Sequence, residues 1–346
     1  MQGNRWGRWF AAVAIVSLVL VGCARGSGTT PTPGVPSTPP ASATPGGSAP
    51  ASAAPVAATC TGAGDKGNVQ MMVNQWVGAA ANVAVAQCLL LQMGYAVKTS
   101  TLAEEVAWQG FDTGEVDVIL ENWGHPDLEK KYITDTKLAT DLGPVGVKGI
   151  IGWYVPKWMV DKYPDITDWN NLNKYAELFK TSESGDKGQL LDGDPSYVTY
   201  DVALVKNLGL DYEVVVGGSE AALIESFRKA EQDKTPLLAY FYSPQWFLNE
   251  LALVKVNLPE YTAGCDADAE AVACDYPPYN LNKIISKNLE DKAPKAAQFI
   301  KNFTWTAEDQ NTVSNYIAND NMDREEAAAK WIADNEAKWK AWIPAS

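Results

Sequence analysis

From residue 60 onward the chain alternates short apolar runs with proline-free helical stretches, and this alternation limits the fold more than any other feature of the sequence. Asn68–Val73 (NVQMMV) reads as a strand, and Gly78–Met93, rich in Ala and Leu, as a helix stopped by Gly94. Strands are predicted again at Tyr95–Thr99, Val116–Leu120 (VDVIL), Gly149–Val155 (GIIGWYV), Gln189–Leu191, Val214–Val216, Leu237–Tyr242 (LLAYFY) and Leu253–Leu258. Helices are predicted at Leu102–Gly110, after Pro126, near Asn171–Lys180, Tyr200–Leu208 and Ser219–Gln232, and in three segments over 294–343. Such alternation implies an α/β protein with a mostly parallel sheet flanked by helices. At 346 residues the chain exceeds one ordinary domain, so two lobes are expected. The strands and helices of roughly 150–245 look inserted into the unit formed by the rest.

The amino terminus has a different character. Arg5 and Arg8 precede an apolar run, Trp9–Leu20, too short to span a bilayer but suited to a secretory signal. The run ends Leu20-Val21-Gly22-Cys23, a lipobox-like sequence in which the Cys23 thiol would receive a lipid. Residues 24–59 hold eight of the twenty prolines and no aromatic residue, so they cannot bury enough apolar surface to fold. The expected layout is a signal peptide over 1–22, a lipidated tether over 23–59 and a folded body over 60–346, displayed outside the bacterial cell membrane.

Charge and cysteine content narrow the function. Residues 1–59 contain three arginines and no acid, leaving 25 basic against 42 acidic residues in the body. A body this acidic argues against a nucleic-acid partner. The lone histidine, His125, disfavours a multi-histidine metal site, and no metal or cofactor is expected. Four cysteines remain beside Cys23, an even number that suggests two disulfides in an exported chain. Cys265 and Cys274 flank a short polar loop and are expected to pair, which leaves Cys60 for Cys88.

The thirteen tryptophans and fourteen tyrosines pose the functional question. In open α/β sheets ligands bind beyond the carboxyl ends of the strands, and Trp76, Trp123, Tyr197 and Tyr242 all fall at such strand exits. Ring faces there suit a quaternary ammonium, which has no N–H to donate and spreads its charge over methyl groups. Aromatic residues at strand ends also simply close cores. Trp331, Trp339 and Trp342 read as packing on the last helix, and Trp158, Trp169 and Trp305 as core or loop plugs. A secreted glycoside hydrolase, with rings stacking on sugars and paired carboxylates as acid and base, is the rival from another class; a purely structural envelope lipoprotein is a third reading. No G-x-S-x-G nucleophile motif is present.

The segments VDVILENWGHPDLEKKY, KGIIGWYVPKWMVDKYPDITDW, DGDPSYVTYD and LLAYFYSPQWFLNEL resemble those of the substrate-binding proteins of ABC transporters for glycine betaine, proline betaine and choline, over about residues 66–343. The resemblance implies a two-lobed periplasmic-binding-protein fold of type II with a ligand cleft between lobe 1 (about 60–149 and 246–346) and lobe 2 (about 150–245). It implies a monomeric binding protein, not an enzyme, that hands a small quaternary ammonium ligand to the permease subunits of an ABC transporter. The family cage is typically built of tryptophans. Trp123 matches one; Tyr197 and Tyr242 stand where two others are expected, and Trp76 would replace lost ring area. The backbone N–H groups of Val198 and Thr199 correspond to those that hold a betaine carboxylate, so glycine betaine is the favoured ligand, with choline or carnitine as alternatives. Asp194, Glu121 and His125 lie close enough in sequence to touch a ligand.

Overall fold

A computed structural model describes residues 59–345; the expected signal peptide, Cys23 and all but the end of the expected tether lie outside them. The chain begins β1 (Asn68–Val73), α1 (Val77–Gln92), β2 (Ala96–Thr101), α2 (Glu104–Thr113), β3 (Val118–Asn122) and α3 (Pro126–Glu129), which runs on into a π-helical segment, Lys130–Asp135. A long strand β4 (Ala139–Pro156) leads through α4 (Lys157–Lys162) and α5 (Leu172–Tyr175) to β5 (Gly188–Asp192), α6 (Asp201–Asn207), β6 (Tyr212–Val216), α7 (Glu220–Asp233) and β7 (Ala239–Ser243). Strands β8 (Leu253–Lys255) and β9 (Tyr279–Ser286) follow, then helices α8 (Lys287–Lys292), α9 (Pro294–Asn302), α10 (Ala307–Ala318), α11 (Arg324–Asp334) and α12 (Glu336–Trp339).

Local chemistry explains the helices that frame the site. Helix α1 is apolar on all sides because it is buried on all sides, packed against α10 and α11. Helix α7 is amphipathic: Leu223, Ile224, Phe227 and Ala230 form its buried stripe, and the Ser219 side chain caps its start by accepting from the Ala222 N–H. Helix α10 begins with a reciprocal capping box between Thr306 and Asp309.

The strands form one sheet in the order β2-β1-β3-β9-β4-β7-β5-β6, with β8 also paired to β4. The expectation of a mostly parallel sheet requires correction. β1 pairs in parallel with β2 and β3, and β5 with β6 and β7, but β9 and β4 run antiparallel between these two groups. The antiparallel pair was hidden in the sequence for identifiable reasons. β9 (YNLNKIIS) interrupts its apolar pattern with Asn and with the buried Lys283. The first half of β4 carries Gly143, Pro144 and Gly146, and its pairing with β9 shifts register twice there.

Disulfides join Cys60 to Cys88 and Cys265 to Cys274. The first ties the segment before β1 to α1. The second closes the loop between β8 and β9, which docks on α6 through the Asn207 amide, donating to the carbonyls of Glu270 (3.0 Å) and Val272 (2.9 Å). Among the described residues no helix is long and apolar enough to cross a membrane.

The carboxyl-terminal tryptophans lie on three pieces rather than one helix: Trp331 on α11, Trp339 on α12 and Trp342 on the terminal turn Lys340–Trp342. Trp331 stacks on Trp342 at 5.9 Å and meets Trp305 edge-on at 5.5 Å. Trp331→Ala is expected to destabilise the fold by about 3–5 kcal/mol while leaving ligand affinity nearly unchanged. Denaturant titration paired with calorimetric binding checks both halves of that statement.

Candidate ligand-binding site

Four strand exits converge where β4 changes partners. β4 pairs with β9 as far as Gly149 and with β7 from Ile150 onward. Trp76 stands in extended conformation just ahead of α1, three residues past β1, and Trp123 directly follows β3. Tyr197 lies five residues past β5, and Tyr242 is the penultimate residue of β7.

Their rings close a box. Neighbouring centroids are separated by 6.2 Å (Trp76–Trp123), 5.6 Å (Trp123–Tyr242), 6.4 Å (Tyr242–Tyr197) and 5.8 Å (Tyr197–Trp76), with interplanar angles of 88°, 79°, 83° and 87°. This is the edge-to-face arrangement that aromatic quadrupoles favour. All four side chains are buried. Glycine makes two of the walls possible. A Cβ on Gly149 would lie 2.4 Å from the Trp123 ring, and one on Gly193 would lie 2.7 Å from the Tyr197 ring. The four rings, with Glu104, Ile151, Val198 and Tyr240, line one small cavity of about 20 Å³.

Carboxylates surround the rings and fix the segments that carry them. Glu104, at the start of α2, accepts from the Trp123 backbone N–H (3.3 Å) and bonds His125 Nε2 (3.0 Å). Burial works against the His125 cation, but the bond to Glu104 and the field of Glu104, Glu105 and Glu129 outweigh it, so the imidazole titrates above its ordinary range. Glu121 accepts from the Asn82 amide (2.8 Å) and from the Trp123 indole N–H (3.2 Å). Glu220, on α7, accepts from the Val77 N–H (2.8 Å) and from the Gln245 amide. Asp192 accepts from the Gly193 N–H (2.7 Å) and the Thr199 hydroxyl (3.1 Å). Asp201 accepts from Trp153 Nε1 (2.7 Å) and the Tyr276 hydroxyl (2.5 Å).

The residues singled out from sequence therefore divide. Trp76, Trp123, Tyr197, Tyr242 and Val198 line one cavity. Thr199 turns its hydroxyl to Asp192. Among the described residues neither the Val198 nor the Thr199 backbone N–H has an intramolecular acceptor. Asp194 is spent on its own turn, accepting from the Ser196 N–H (2.9 Å) and hydroxyl (2.7 Å). Glu121 and His125 sit behind the rings, bonded to Trp123 and Glu104, and do not line the cavity. Sequence reasoning missed Glu104, Ile151 and Tyr240. Tyr240 was within reach, because strand alternation places it on the same face as Tyr242. Glu104 gave no signal beyond that of an ordinary acid in the first turn of a helix.

Burial pushes the Glu121 carboxyl up to about 7, its hydrogen-bond donors opposing the shift and the Glu104 charge adding to it. A raised folded pKa favours the protonated form, so this group's stabilisation is full below the ordinary carboxyl range and is lost as pH rises through about 7. Glu121→Gln, uncharged at every pH, should gain stability relative to the parent between pH 4.5 and 7, by on the order of 3 kcal/mol. Thermal unfolding across that range, parent against variant, measures the difference.

Comparison with known proteins places the chain in a family. Residues 67–334 match the model of OpuAC, the substrate-binding domain of ABC-type glycine betaine transport systems. The trimethylamine N-oxide-binding protein of Pelagibacter ubique (strain HTCC1062) is 25% identical over 293 residues, 82% of this chain and 93% of that protein. Among solved structures, lactococcal OpuAC in its closed, glycine betaine-bound form is similar (TM-score 0.63, 23% identity, 80% of this chain and 99% of that one). So is an ABC-transporter choline-binding protein in complex with choline (TM-score 0.64, 17% identity, 80% and 91%). At these identities the structural likeness is one of fold, the two-lobed periplasmic-binding-protein fold of type II. Membership leaves the hydrolase reading without support, since the relatives are solute-binding proteins. The chain belongs to the OpuAC family, the substrate-binding domains of ABC-type glycine betaine transport systems, and is a binding protein and not an enzyme.

Proposed function

We propose that this protein captures a small quaternary ammonium compound inside the box of Trp76, Trp123, Tyr197 and Tyr242 and delivers it to the permease of an ABC transporter. The observation that carries this reading is the box itself: four buried rings from four separate strand exits, each roughly perpendicular to the next. Ring faces attract a cation whose charge is spread over methyl groups, each contributing about 2 kcal/mol when desolvated. Three or four such contacts supply much of the roughly 8 kcal/mol that micromolar binding requires. The ligands named for the three relatives above, trimethylamine N-oxide, glycine betaine and choline, share a trimethylated nitrogen. Glycine betaine, favoured from sequence, belongs to that class.

The lobe boundaries follow the same reading. Lobe 1 comprises about 60–149 and 246–346, and lobe 2 about 150–245; the change of β4 partner between Gly149 and Ile150 supports the first crossing. Trp76 and Trp123 then belong to one lobe and Tyr197 and Tyr242 to the other, so the cage is complete only when the lobes are closed and ligand favours the closed state. The protein acts as a monomer outside the cell membrane, held there through a lipid on Cys23 and the proline-rich tether.

Calorimetry with glycine betaine, proline betaine, choline and carnitine tests the function, and heat-silent titrations with all four would overturn it. Trp123→Ala is expected to weaken binding by about thirtyfold or more, which is about 2 kcal/mol. Trp123→Phe should lose less because a ring face remains; equal losses would assign Trp123 to packing. Cys23→Ser should release the protein from the membrane fraction or leave its signal uncleaved. A processed, membrane-bound Cys23→Ser protein would refute the anchor.

A further inference from the structure

Behind the cage one buried carboxyl serves both tryptophans of the box. Glu121, the fourth residue of β3, is 1% exposed. One of its oxygens accepts from the Trp123 indole N–H at 3.2 Å, the other from the Asn82 amide at 2.8 Å. The Trp76 indole N–H and the Gln310 amide complete no hydrogen bond among the described residues, yet both lie close enough to act on Glu121 as donors. Gln310 reaches this point from α10 because Gly78 leaves room on α1: a Cβ there would lie 2.4 Å from the Gln310 Nε2.

These surroundings suit the carboxyl in either protonation state. Two indoles and two amides offer donors to the ionised form. The neutral form must itself donate an O–H, and the buried Asn82 Oδ1 and Gln310 Oε1 are acceptors without a partner. Turning the Gln310 amide over exchanges its donor for its acceptor. The neighbouring charges leave the balance close. β1 and α1 bring no charged side chain. On α10, Asp309 is turned to Thr306 and Lys338, and on β9, Lys283 is turned to the carbonyls of Lys301 and Phe303. Glu220 of α7 is bonded to Val77 and Gln245. Burial keeps Tyr242 and Tyr279, which pack on Trp123, neutral. Glu104 of α2, bonded to His125, is the charge that reaches Glu121, and it favours the neutral form. With the carboxyl pushed up to about 7, both forms are populated near neutrality.

A cation on the rings tips this balance. Glu121 is already out of water, so a ligand adds little to its desolvation. What changes is a positive charge on the far side of the same indoles, in a buried site where attraction is weakly screened. Indole N–H bonds to an ionised oxygen are also the stronger ones. We propose that Glu121 is a positioning residue that holds the Trp123 and Trp76 indoles by their edges, and that seating a cation on those rings drives its proton off to bulk water. Capture is then linked to proton release: affinity is full above the pKa of the free protein and falls as pH drops through it. This rests on the aromatic-box reading above.

Calorimetry of the full-length protein with tetramethylammonium and with glycine betaine tests the proposal, since neither ligand titrates near neutrality. Affinity for both is expected to rise at least about threefold from about pH 6 to about pH 8. Near neutral pH, binding should be more exothermic in Tris than in phosphate, because Tris takes up the released proton with more heat. Glu121→Gln should abolish the pH slope and the buffer difference. His125→Gln should keep both, which separates Glu121 from the other group that titrates near the cage. A flat pH profile with equal heats in the two buffers would overturn the proposal and leave the box intact. A slope kept in Glu121→Gln and lost in His125→Gln would do the same. Should Glu121→Gln fail to fold, the parent and His125→Gln decide the matter. Binding of neither ligand at any pH would remove the box reading and this proposal with it.

Discussion

Strand β4 is the member on which the site's geometry depends. It hydrogen-bonds to β9 along its first part and to β7 along its second, so a single extended backbone aligns the two halves of the sheet. The walls of the box lie close to that changeover. Trp123 packs on Gly149, whose missing side chain makes the approach possible, and against Tyr279, the first residue of β9. Tyr242 pairs with Ile151 across the β4–β7 ladder. A close-packed interior transmits small shifts rather than absorbing them. The registers of β4 with its two partners therefore set the ring-to-ring distances.

Around this frame the protein buries an unusual set of acids. Glu104, Glu121, Asp192, Asp201 and Glu220 are all buried, and burial raises the pKa of the last four. A buried carboxyl group is tolerable only when it is hydrogen-bonded, and each of these has two partners, those of Asp201 both on Oδ1. The bonds have a common consequence: they hold the backbone just past the strands, and the Trp123 indole, in one arrangement. Side chains held in this way lose little rotamer freedom if a ligand settles against them. Lys283 makes a contrasting case away from the cage. Its ammonium donates to the carbonyls of Lys301 (2.8 Å) and Phe303 (2.7 Å), and burial lowers its pKa to about 8, so it serves to tie β9 to the end of α9.

Much of the fold was legible because local pattern and tertiary role agree. β1, β5 and α7 have apolar spacing or caps that match their final environment, and their limits were read almost to the residue. Trp123, Tyr197 and Tyr242 were legible because two rules coincide on them, strand exits as ligand positions and the family motifs around them, whereas Trp76 rested on its strand exit alone. β9 and the first half of β4 were not, since Asn, Lys, Gly and Pro break the alternation that marks a strand. Glu104 and Glu220 were not either: an acid at the first turn of a helix is so common that neither carries a mark of its destination.

The sequence by itself determined the α/β class, the order of elements, the cysteine count, the acidity of the body and the supply of aromatic side chains at strand exits. These are properties of short segments, set by spacing and composition. Only the tertiary structure decided which segments meet. Residues distant along the chain, Glu220 and Val77, share one hydrogen bond, and an acid on α2 enters the cavity wall built by β3 and β7. The electrostatic character of the site arises from those meetings, because the strength of a charge depends on burial and neighbours that no local pattern encodes.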